Sequence, residues 1–154
     1  MKRHDKVVDM LKSSMLKRDY ITFKEPKLQY KKTFRKPDLI ISKSGKVIIL
    51  DLIICGDTAD LNERRIQKEV LYGEEVLLEE ARRIVRTHDP GIQIKETIAL
   101  GVHISFRGSL DNFTCRFLKR LGVPRRFLNL IIVRTLVKTY KMFQAYLRMI
   151  SAAR

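Results

Sequence analysis

Pro37-Asp38-Leu39-Ile40-Ile41-Ser42-Lys43-Ser44-Gly45-Lys46-Val47-Ile48-Ile49-Leu50-Asp51-Leu52-Ile53-Ile54-Cys55 reads as two apolar strands joined by a Ser-Gly turn. With Ser44-Gly45 as a two-residue loop closed by Lys43 and Lys46, the register sets Asp38 directly across from Asp51. Cross-strand partners share a face, so each oily strand brings one carboxylate to the same spot. At about 4 Å and an effective dielectric near 20, their repulsion is on the order of 4 kcal/mol. Something positive is expected there, and a hard divalent cation on oxygen ligands fits best. Both faces of the hairpin are apolar, with Leu39, Ile41, Ile48, Leu50 and Leu52 on one side and Ile40, Val47, Ile49 and Ile53 on the other. A sheet buried on both faces needs helical cover, which makes the class α/β.

Working outward, Val7, Val8, Leu11 and Met15 fall at helical spacing, so residues 4–17 read as a first amphipathic helix. Residues 20–23 and 27–30 are short strand candidates separated by Pro26. After the hairpin, Asp57-Thr58-Ala59-Asp60 is a helix start, because acids favour the positive end of the helix dipole. The helical pattern runs on to His88, with Gly73 as a break. Its main apolar stripe is Ile66, Val70, Leu77, Ala81 and Ile84, while Leu61, Arg65, Lys68 and Tyr72 lie on a different face. Asp89-Pro90-Gly91 stops the pattern, and residues 92–106 supply a further strand. Arg107-Gly108 is a turn, Ser109 an N-cap for a helix to Leu121, Gly122 its C-terminal stop and Pro124 the opening of a last helix.

The 154 residues make one domain's worth of chain, enough to bury a single sizeable core. The net charge of +15 is unevenly spread. Residues 1–36 carry twelve Lys and Arg against four Asp and Glu, residues 37–106 nine against twelve, and residues 107–154 eleven against one. An acidic centre between basic flanks suits a phosphodiester-cleaving enzyme, since basic arms neutralise a polyanion while clustered acids hold metal at one bond. A basic binding protein has the same flanks, so charge alone leaves both open. Two cysteines without a CxxC pair and three scattered histidines argue against a zinc site and for a reducing, intracellular compartment. No apolar run is long enough to span a membrane.

A Pro-Asp followed by a second strand-borne acid, in an α-β-β-β-α-β order, is the layout of PD-(D/E)xK nucleases. That pattern expects a lysine two residues after Asp51, and Ile53 stands there instead. The chain resembles the branch of the superfamily that carries its lysine on the following helix, the restriction-like endonuclease domain of site-specific non-LTR retrotransposon proteins. The matching residues are Arg35-Lys36-Pro37-Asp38-Leu39, Asp51, Asp60-Leu61-Asn62-Glu63, and Lys68 with Tyr72. The likeness extends to Arg3-His4-Asp5, Glu25-Pro26, Ser105-Phe106-Arg107-Gly108 and Leu121-Gly122.

The resemblance implies one restriction-like endonuclease domain over residues 1–154. Its core would cover about 3–106 as a mixed sheet with flanking helices, and a basic helical extension about 109–150. It further implies a DNA endonuclease dependent on Mg²⁺ or Mn²⁺ that nicks a target strand and leaves a 3′-hydroxyl for reverse transcription. A reverse transcriptase and an RNA template would be partners in the parent protein, DNA the substrate, and the nucleus its place. Asp38, Asp51 and the Leu52 backbone carbonyl would hold metal, Lys68 would act beside the attacking water, and Tyr72 would support Lys68. Lys68 considered alone is a surface lysine, and only the family pattern selects it. Arg3 and Arg107 fall in family-like motifs that can meet DNA. Arg134, Lys138, Lys141 and Arg148 follow helical spacing on one face of the last helix and can track a phosphate backbone; a membrane-surface helix with the same charges is an alternative, and a solvated face over a core of Leu130, Val133, Val137 and Leu147 is the plainer reading. The rival functions are a Holliday-junction-resolvase-like nuclease and a catalytically inactive basic module binding DNA or RNA.

Overall fold

In the computed structural model, which describes residues 3–56 and 60–152, the Ser44-Gly45 loop sets the register of the central hairpin. Both residues take positive φ (+52° and +79°), as a type I′ turn requires. Strand β4 (Leu39–Lys43) pairs antiparallel with β5 (Lys46–Cys55), Lys43 opposite Lys46 and Leu39 opposite Leu50. A Cβ on Gly45 would also stand 2.7 Å from the Gln93 carbonyl oxygen, so a side chain at position 45 is accommodated only at a cost.

The first helix, α1 (Arg3–Leu16), leads into β1 (Ile21–Lys24), which pairs antiparallel with β4. Between β1 and β4 lies a separate two-stranded ribbon, β2 (Leu28–Tyr30) with β3 (Thr33–Arg35). Only the first of these two short strands was expected; Thr33–Arg35 has no apolar alternation of its own and is held by its partner. After β5 come α2 (Leu61–Tyr72) and α3 (Glu75–His88), then β6 (Glu96–Ser105), which returns parallel to β5 over ten residue pairs. The main sheet therefore runs β1-β4-β5-β6, mixed in direction. The chain ends in α4 (Asn112–Arg120) and the 28-residue α5 (Arg125–Ala152).

Helices cover both faces, as the doubly apolar hairpin demanded. Leu39, Ile41, Ile48, Leu50 and Leu52 pack with Val7, Val8 and Leu11 of α1, Leu118 of α4 and Leu128 and Ile131 of α5. Ile40, Val47 and Ile49 pack on the opposite side with Leu28, Tyr72, Leu77, Ala81 and Val85. Each such fully buried branched side chain is worth about 1.5–3 kcal/mol. No helix among the described residues is long and apolar enough to cross a membrane.

Four local expectations are corrected. Ile66 and Val70 are exposed, because the break at Gly73 resets the helical phase and the stripe does not continue from α3 into α2. The Arg65, Lys68 and Tyr72 face turns to the sheet instead; Gly101 on β6 lacks a side chain there, and a Cβ would sit 3.3 Å from the Arg65 Cα. The N-cap of α4 is Asp111, whose carboxylate accepts the Thr114 N–H at 2.6 Å, while Ser109 bonds back to Ser105. On α5 the buried residues are Leu128, Ile131 and Thr135, and Leu130, Val133, Val137 and Leu147 are exposed, so the last helix rests on the domain by another stripe.

Candidate active site

Strand β5 is twice as long as β4, and the two stop pairing at Leu50 opposite Leu39. Beyond that point the β4 side of β5 presents backbone groups with no strand to receive them. Asp38, one residue before β4, fills part of the gap: its Oδ2 accepts the Leu52 N–H at 2.6 Å. His4, in the first turn of α1, fills the rest. Its Nε2 lies 3.1 Å from Asp38 Oδ2 and 3.2 Å from the Leu52 carbonyl oxygen. Both partners are acceptors, so Nε2 carries the proton, and Nδ1 faces Asp5 Oδ1 at 3.5 Å. The hydrogen bond to Asp38 outweighs burial and raises the imidazole to about 9. His4 is therefore a cation at neutral pH, held between a carboxylate and a carbonyl.

Asp51 is on the α2 side of the same strand and is almost fully buried. Loss of water pushes its carboxyl up; Lys68 opposes that shift, and the charge of Asp38 adds to it. Lys68 Nζ lies 2.9 Å from Asp51 Oδ2 with its side chain 42% exposed, so the ammonium reaches in from solvent. One turn along the helix, buried Tyr72 places its ring 5.9 Å from Lys68 Nζ. Its hydroxyl is pushed up by burial first and by the Asp51 and Asp38 charges next, so it remains a neutral donor. Arg35 stacks over Tyr30 at 5.2 Å, and its charge also reaches Tyr72.

Asp38 before β4, Asp51 on β5 and Lys68 on α2, the residues expected from sequence, thus flank the stretch of β5 that β4 leaves unpaired, with the Leu52 carbonyl beside them. Among the described residues no group of three or more His, Cys, Asp and Glu side chains forms a ready metal cage. The candidate set is two carboxylates and a backbone carbonyl, an all-oxygen set that leaves most positions to water and substrate, which suits Mg²⁺. A buried carboxylate held upward by desolvation, with Asp38 next to it, is the electrostatic condition a divalent cation relieves.

The nucleic-acid candidates are more dispersed. Arg134, Lys138 and Lys141 line, with Lys6, Val7, Met10 and Val137, a groove of about 220 Å³ between α1 and α5. Lys6 is two residues along α1 from His4, a spacing that puts the two side chains on different faces of the helix. Arg107 lies in the turn after β6, which runs parallel to β5 with Gly101 beside Asp51, so it sits beyond the same C-terminal end of the two strands; the side chain of Arg3 lies outside the described residues, as does Asp57.

His4 falls in the family-like stretch Arg3-His4-Asp5, but the resemblance assigns it no role. Its signal was nonetheless present: positions 4, 7, 8, 11 and 15 form one helical face, and a histidine among Val7, Val8, Leu11 and Met15 faces the core.

No protein-family model and no curated protein matches the chain. Among solved structures, the crystal structure of a protein of unknown function aligns over 94% of this chain and 100% of its own, at 10% identity and a TM-score of 0.37. A likeness that distant carries no argument about chemistry.

Proposed function

We propose that this chain is a metal-dependent DNA endonuclease of the restriction-like type, nicking one strand and leaving a 3′-hydroxyl. The observation that carries the reading is the convergence of Asp38, Asp51 and Lys68 at the open end of β5, with Lys68 Nζ 2.9 Å from Asp51 Oδ2. The order of elements, with a helix, a hairpin-centred sheet, a helical crossover and a parallel β6, also agrees with a restriction-endonuclease-like core.

In this reading Asp38, Asp51 and the Leu52 carbonyl hold a Mg²⁺ or Mn²⁺ ion, which when bound polarises the scissile phosphate and acidifies a water. His4 donates to two of those three oxygen donors, so the chain already keeps positive charge where the ion belongs. His4 would compete with such an ion for Asp38 and the carbonyl. Lys68, part exposed, is placed to face a phosphate and stabilise charge that grows in the transition state. Tyr72, neutral and buried, holds the Asp51 and Lys68 side of the site in position. The groove formed by Lys6, Arg134, Lys138 and Lys141 supplies sequence-independent phosphate attraction, which weakens as salt rises. DNA as substrate makes the nucleus its place of action, and a reverse transcriptase would use the nick.

The test is a nicking assay on supercoiled plasmid with Mg²⁺, Mn²⁺ or EDTA, comparing wild type with Asp38→Ala, Asp51→Ala and Lys68→Ala. Metal-dependent conversion to open circles that the aspartate variants lose supports the reading. DNA binding without any cutting assigns the chain to the inactive binding modules, and paired symmetric nicks on four-way junctions assign it to the resolvases.

A further inference from the structure

The second half of α5 leaves the domain with its apolar side uncovered, and that side has a regular period. Val133, Leu136, Tyr140, Phe143, Leu147 and Ile150 are spaced by three and four residues in strict alternation, and all six are exposed. This is the a/d repeat of a coiled-coil seam over almost three heptads. The stripe that seats the helix on the domain, Leu128, Ile131 and Thr135, falls at other heptad positions; of the seam residues Leu136 also touches the domain, at the Gly108 turn, and stays exposed.

The charges on the helix say what covers the seam. From Val133 onward the described cations are Arg134, Lys138, Lys141 and Arg148, which fall at positions b and f. The e and g positions that flank the seam, Val137, Thr139, Gln144, Tyr146 and Ser151, carry no charge. Another copy of so basic a helix would ordinarily be repelled. Here every like charge points away from the seam, and no acidic partner is called for at its flanks. Six half-exposed large side chains on each of two copies, on the order of 100 Å² apiece, give about 1,200 Å² of interface, the lower end of what specific complexes use. The seam spans about 27 Å at 1.5 Å per residue.

We infer that the 133–150 seam of α5 pairs with the same seam of a second copy, forming a homodimer through a short coiled coil. The b and f cations remain on the outside of the pair, Arg134, Lys138 and Lys141 still facing the α1 groove. This inference stands apart from the nuclease reading and is measured without any cleavage assay.

The experiment is sedimentation equilibrium of the full chain from 1 to 100 μM in moderate salt. A species at twice the 18.1 kDa chain mass is expected. The double variant Phe143→Glu/Leu147→Glu should be monomeric over the whole range, with its β-sheet circular dichroism retained. Ala145→Glu, at an f position, should keep the dimer. A wild-type monomer at 100 μM overturns the inference, as does a dimer that survives the seam variant. Monomer that co-sediments with phosphatidylcholine–phosphatidylserine vesicles also overturns it and assigns the apolar side to a membrane surface.

Discussion

The two halves of β5 have nearly the same composition and opposite roles. From Lys46 to Leu50 the strand is paired on both sides, by β4 and by β6, and its side chains fill both cores. From Asp51 to Cys55 the β6 pairing continues, but β4 has ended. There a carboxylate takes an N–H, an imidazole takes a carbonyl, and a buried acid draws in a lysine. The strand becomes a site where its neighbour stops, because unreceived backbone groups demand polar partners and those partners bring charge.

The largest effect should come from the open half. Asp51→Ala or Asp38→Ala is expected to lower the nicking rate by at least about a thousandfold, as loss of a residue from a group acting as a unit does. A similar Tm with lost nicking would sharpen the contrast; unchanged nicking would break it. Lys68→Ala should cost about 10²–10³ in rate, the usual penalty for one lost electrostatic contact to the transition state, with plasmid affinity changed little. If affinity drops and the turnover rate does not, Lys68 is a phosphate anchor only.

In the paired half the currency changes to stability. Ile49→Ala removes a side chain that is 1% exposed and should destabilise the fold by about 2–5 kcal/mol in urea unfolding. The remaining folded fraction should nick at the wild-type rate. A smaller shift follows from protonation. The contact of His4 stabilises the fold fully below 6.5, its ordinary value, and that contribution fades as pH rises through about 9. Asp51, pushed up by burial, disfavours the folded state once pH exceeds the ordinary carboxylate range. A divalent cation would offset the Asp51 penalty and meets less competition as the imidazolium weakens. The rise in Tm on adding Mg²⁺ should therefore grow between pH 6 and 9, and an equal rise at both ends would separate the metal from this pair. Smallest of all, Gly45→Ala in the turn should cost about 1–3 kcal/mol of stability through its positive φ and the Gln93 carbonyl, with no effect on nicking per folded molecule.

How much of this could be read from the chain depends on how local the cause was. The Ser44-Gly45 turn carries its own geometry, so register, and with it the meeting of Asp38 and Asp51, followed from a few adjacent residues. The orientation of α2 did not. Ile66 and Val70 look like core residues until Gly101, on a strand some thirty positions later, is seen to admit the backbone at Arg65 and turn Lys68 inward. His4 was obscured for a different reason: its partners are a carbonyl and a carboxylate that only the end of β4 leaves available. Leu130, Val133, Val137 and Leu147 of α5 read as core from sequence although all four are exposed, because periodicity reports that a face is apolar and not what it will meet.

The ladder between β5 and β6 has a kinetic consequence. The hairpin of β4 and β5 closes through two residues, whereas the parallel pairing joins Lys46 to Glu96 and Cys55 to Ser105 and must wait for the whole α2–α3 crossover. High contact order of that kind slows folding, and hydrogen exchange on a refolding chain should protect the amides of Ile41 and Ile48 well before those of Val102 and Ile104. Until the second event, Asp51 has neither the burial nor the lysine that give it its character. The chain would acquire its core first and its chemistry last.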